Sequence, residues 1–130
     1  CTVLNAFTTA APGASFATTL DSGDTIVIQG GPTLFGAAGM VLTVDWIAAM
    51  GSAHDVIASG WSWYWGLGGR VNVVSDDAQT NEAGVRVPFG LIYNSAPAFD
   101  GLVIVEGALG YDFANSRITP DFCMGIRWPF

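Results

Sequence analysis

The sole histidine, His54, stands beside Asp55 in the turn GSAHD with Ser52 just upstream, which brings together the residue types of a nucleophile, a base and an orienting acid. Neighbouring side chains on an extended backbone point apart, so adjacency does not make His54 and Asp55 a catalytic pair, and a polar loop histidine is the favoured reading. One imidazole and two cysteines at opposite ends of the chain supply too few ligands for zinc. Acidic residues gather at Asp21 and Asp24, and again at Asp76, Asp77 and Glu82, but their spacing fits no EF-hand and solvated turns are expected. Nothing selects a pair among the eleven carboxylates for glycoside hydrolysis. The glycines of GLGG (Gly66–Gly69) are followed by RVNVV, a strand pattern without the helix N-terminus that a phosphate loop needs, so a hairpin turn is expected there. These residues predict no catalytic group, no metal site and no cofactor.

A different kind of chemistry is offered by GWSWYWG, which places Trp61, Trp63 and Trp65 at every second position. On a strand the three indoles share one face. An outward row would be a ledge for stacking on a sugar, and a hairpin loop of two or four residues would add Arg70 and Asn72 to that face as polar partners. An inward row would fill a core, and then Trp63→Ala would cost about 3–5 kcal/mol. Burial is preferred, because a domain of this size needs large apolar residues and Ser62 and Tyr64 on the opposite parity are the more polar pair.

Composition narrows the partners. Four arginines and no lysine face the eleven carboxylates, for a formal net charge of −7, which repels phosphate backbones and excludes nucleic acid as an expected partner. The apolar runs are broken by Asp45 or by glycine before they reach the length of a membrane-spanning helix, so no membrane-spanning segment is expected. Charged residues are only 12% of the chain while hydrophobic ones are 51%, so the surface is weakly charged and associates with copies of itself at low desolvation cost. The chain begins without Met, which suggests either a processed mature form, and then an exported one, or an excised fragment. Cys1 and Cys123 are candidates for a disulfide closing most of the chain in an oxidising compartment, with two free thiols or a lipid-modified Cys1 as alternatives.

Elements of period two position these residues. Strands are expected at 2–9, 15–20, 25–29, 40–48, 56–65, 70–75, 85–93, 102–113 and 122–128, separated by Gly, Pro, Asn and Asp. The segment MVLTVDWIAAM alternates as a strand, although its second half also fits a helical turn. Pro88 removes a ladder donor and argues for an edge strand or a bulge. About eight strands in 130 residues predict a single-domain, all-β, antiparallel β-sandwich or jelly roll. The uncharged residues 1–20, with Val3, Leu4, Phe7 and Phe16, lack the devices that protect a sheet edge and are a candidate donor strand for a neighbouring subunit.

The expectation from sequence is therefore a non-enzymatic structural subunit of an extracellular or virion-surface assembly, a filament or capsid that self-associates as a homo-oligomer or polymer. The alternative is a carbohydrate-binding module or lectin that holds a glycan on the tryptophan row.

Overall fold

The computed structural model describes residues 2–4, 13–33, 39–74, 81–94 and 102–127, with only the backbone described for residues 2–4, Thr33, Thr119, Cys123 and Arg127. Eight strands carry the fold: β1 (Thr2–Leu4), β2 (Ala14–Thr19), β3 (Thr25–Thr33), β4 (Gly39–Ser52), β5 (Trp61–Val74), β6 (Glu82–Asn94), β7 (Leu102–Asp112) and β8 (Arg117–Arg127). They form one antiparallel sheet in the order β1-β8-β7-β6-β5-β4-β3-β2, curled into a half-barrel. The all-β, antiparallel expectation holds. The sandwich or jelly roll does not follow from it, because each of β3 to β8 pairs with its neighbours in sequence and the described strands form one sheet, with no second layer packed against it.

The curl is read from side chains that meet across it. Gln29 on β3 donates to Glu106 on β7 at 3.3 Å, although the two strands are four places apart and would stand about 19 Å from each other in a flat sheet. Arg70 on β5 likewise reaches Asp121 on β8 at 2.6 Å, three strands away. The strands therefore wrap a common interior, with one end where β4 passes into β5 (the Trp61 end) and another where β7 passes into β8 (the Arg117 end).

Several local expectations are corrected. The glycines 66–69 lie inside β5 and make no turn, because Gly66, Gly68 and Gly69 pair with Ile47, Asp45 and Val44 of β4. MVLTVDWIAAM is strand throughout, with a bulge between Ile47 and Ala49. Pro88 is fully buried in β6, which is a central strand, not an edge. Its missing donor is accommodated where the β5–β6 register lapses between Trp65↔Phe89 and Gly68↔Arg86.

The β7–β8 hairpin turns through Phe113–Ser116, where Ser116 adopts φ 50°. Asp112 steadies this turn by accepting from the Ala114 N–H at 2.9 Å and from Asn115 Nδ2 at 2.6 Å. A left-handed serine is mildly strained, so Ser116→Gly is expected to stabilise the protein by about 0.5–1 kcal/mol in equilibrium denaturant titration.

Candidate functional site: a polar interior inside an apolar wall

The two faces of the sheet have exchanged their usual roles. In β5 the even positions Tyr64, Gly66, Arg70 and Asn72 are buried, whereas Trp63, Trp65, Leu67, Val71 and Val73 are exposed. The same parity runs on through Arg86, Pro88 and Gly90 of β6 and Ile104, Glu106, Ala108, Gly110 and Asp112 of β7. Among the described residues the buried polar and charged side chains (nine) outnumber the buried hydrophobic ones (seven), so the concave interior is not an ordinary core. The convex face is its complement. Met40, Leu42, Val44 and Trp46 of β4, Val85 and Phe89 of β6, Leu109 and Tyr111 of β7, and Phe122, Met124 and Ile126 of β8 are all exposed, and no convex position on β3 to β8 is charged.

The polar interior is built in two tiers. In the inner tier, Arg86 is held between Asp45, whose Oδ1 is 3.2 Å from Nε, and Glu106, to which Nη2 donates. Glu106 also accepts from the Tyr64 hydroxyl at 2.5 Å and from Gln29. Glycines make these contacts possible. Register rows run Asp45↔Gly68↔Arg86 and Tyr64↔Gly90↔Glu106, so each long side chain reaches its partner across a residue that has none. A Cβ at Gly68 would strike the Asp45 carboxylate, and one at Gly90 would strike the Tyr64 ring. The outer tier, toward the Arg117 end, joins Arg70 to Asp121 and, at 3.9 Å, to Glu82. Arg117 pairs with Glu82 at 2.5 Å and with Asp112 at 3.8 Å, and Asn72 donates to Glu82 at 3.3 Å.

Toward the Trp61 end the interior becomes apolar, where Val27, Ile47, Tyr64 and Ile104 cluster with Ala17 and Ile92 against them. Buried groups without a protein hydrogen bond lie along the polar stretch. They include both oxygens of Asp45, Thr43 Oγ1, Asn72 Oδ1, and the Nε atoms of Arg70 and Arg86.

The candidate residues from sequence fall on both sides of this wall. Trp63 and Trp65 are 41% and 39% exposed on the convex face while Tyr64 between them is buried, so the expected burial of the tryptophan row is overturned. The 3–5 kcal/mol cost set for a core Trp63 no longer follows. Arg70 and Asn72 face the interior, so they do not join the indoles in one ledge. Trp61 instead packs on Tyr93, ring centroids 5.0 Å apart. Val3 and Leu4 pair in register with Cys123 and Phe122 of their own chain, and Phe16 is exposed on β2. Phe7 lies outside the described residues, as does the Cys1–Cys123 pairing, of which only the backbone of Cys123 is described. His54 touches Asp55 at 3.3 Å in an exposed turn, and among the described residues no three metal-ligating side chains converge.

The charge network was missed by sequence reading, although one signal was present. Its members and the glycines beside them share one face across β4 to β7, and the opposite face carries no charged residue. The chain matches no known family model, curated protein or solved structure.

Proposed function

We propose that this chain is a membrane-embedded β-barrel protein of the outer-membrane type, with a lumen filled by paired charges and a wall that meets lipid. The reversal of the two faces carries the reading: on strands β3 to β8 the charged residues fall on the concave side, and an uncharged apolar band covers the convex side. In water that band would be a large aggregation-prone surface, whereas in hydrocarbon it is the favoured one. Antiparallel ladders satisfy the backbone polar groups of the inner strands, and the edges β1 and β2 would have to pair with each other or with a second copy to close the barrel that a bilayer requires.

Dimensions and anchors support the same reading. Strands of 11 to 14 residues, as in β4 to β8, tilted by about 40°, cross an apolar layer about 25 Å thick. Trp61, Trp63, Trp65 and Tyr93 mark one end of the wall and the Tyr111–Phe113 pair, centroids 5.7 Å apart, the other, as amphipathic rings do at the two interfaces. No helix among the described residues is long and apolar enough to cross a membrane.

The filament or capsid subunit and the glycan-binding module remain weaker proposals. The exposed apolar face supports self-association, but copies of the chain would have to cover the entire convex surface. The stacking ledge keeps its indoles but loses Arg70 and Asn72. Lipid-depth quenching tests the proposal. In vesicles containing acyl chains brominated near the interface, tryptophan fluorescence is expected to fall strongly, and chains brominated near the bilayer centre should quench less. Absence of quenching, with ordered polymers formed in detergent-free buffer, would replace the barrel by the assembly reading.

A further inference from the structure

We propose that the interior is a cation path closed by a dry constriction at the Trp61 end, an inference that rests on the barrel reading. Five carboxylates face three arginines in the two polar tiers, a surplus of two negative charges that favours small cations over anions in a narrow passage. Asp45 gives this surplus a specific location. It is wholly buried midway along β4, where its Oδ1 has only the Arg86 ion pair at 3.2 Å and its Oδ2 has no hydrogen-bond donor within the protein. Thr43 Oγ1 and Asn72 Oδ1 add unsatisfied acceptors between Asp45 and the Arg117 end. Buried acceptors without protein donors are sites for water or a cation, so this part of the lumen is hydrated from the Arg117 end.

The hydrated stretch stops at Val27, Ile47 and Ile104, which are 4%, 8% and 3% exposed and present no polar side-chain atom to a passing ion. An apolar constriction of this kind excludes ions by dewetting. Arg86, clamped between Asp45 and Glu106, stands next to it as a second obstacle. The proposed path thus has an acidic, hydrated entrance at one end and an apolar gate at the other.

The test uses the full-length chain in planar bilayers under a KCl gradient, with insertion checked separately by the lipid quenching described above. The wild-type chain is expected to be silent or nearly so. Ile47→Thr combined with Ile104→Thr keeps β-branched side chains while wetting the constriction, and should raise conductance about tenfold or more, with a reversal potential of the sign set by K⁺. Adding Asp45→Asn to that background should move the reversal potential toward zero. Should the double variant fail to insert, Ile104→Ala widens the gate without adding a polar group and must by itself raise conductance. An inserted variant that stays silent, or that passes chloride in preference to potassium, overturns the cation path alone. Failure of the wild-type chain to show quenching overturns the barrel on which the path depends.

Discussion

Arg86→Met is expected to destabilise the protein by about 3–5 kcal/mol, because it leaves Asp45 and Glu106 facing each other in a closed interior with their shared counter-ion gone. Both carboxylates are buried, at 0% and 3% exposure, and water that reaches Asp45 from the Arg117 end does not supply the positive charge that the guanidinium gave the pair. Loss of packing alone would be far smaller, since methionine fills much of the same volume. The comparison that isolates the charge is the triple variant Arg86→Met, Asp45→Asn, Glu106→Gln, which removes all three charges at once. It is expected to recover most of the loss, as replacing an entire buried ionic cluster is often near neutral. Reversible urea unfolding of the lipid-reconstituted protein measures each step. An Arg86→Met variant as stable as the wild type would mean that the two ion pairs contribute nothing to the interior.

The second large effect is on the opposite face. Val44 is exposed at the middle of β4, level with Gly69, and Val44→Arg is expected to cost about 2–4 kcal/mol in a bilayer because the guanidinium is forced into hydrocarbon. Val73, also exposed but one residue from the end of β5, should tolerate arginine at a cost of about 0–1 kcal/mol. The contrast in depth is the diagnostic feature. Water against the convex face would make both substitutions neutral and would improve solubility.

These two substitutions also show what the sequence could and could not convey. Alternation of apolar and polar residues is legible in Val85–Tyr93 and in Phe122–Ile126, and it places most strands of an all-β fold, although it leaves a helical turn open in MVLTVDWIAAM and divides in two the single strand Trp61–Val74. Alternation states that the faces differ; it does not state which face looks inward. In water the apolar parity goes inside, and that default sends Trp63 and Trp65 into a core; the structure reverses both and puts Arg70 and Asn72 on the opposite, inner face. GLGG followed by the strand pattern RVNVV reads as a hairpin turn, yet Gly68 is required inside β5 for Asp45 to reach Arg86. The pairing of Gln29 with Glu106 was beyond local reading, since it exists only once the sheet has curled.

The order of the strands bears on how the chain reaches this state. Six of the seven ladders join strands that are consecutive in the chain, and such hairpins close over short loops in microseconds. The seventh joins residues 2–4 to residues 122–124, so its entropy of closure spans almost the entire polypeptide. Local hairpins can zip in series, but this last ladder must wait for β8, the final strand of the meander, to arrive beside β1. The late event in assembly is therefore a search by two distant segments for one another, and until it ends residues 122–124 of β8 keep an open edge that another chain could occupy.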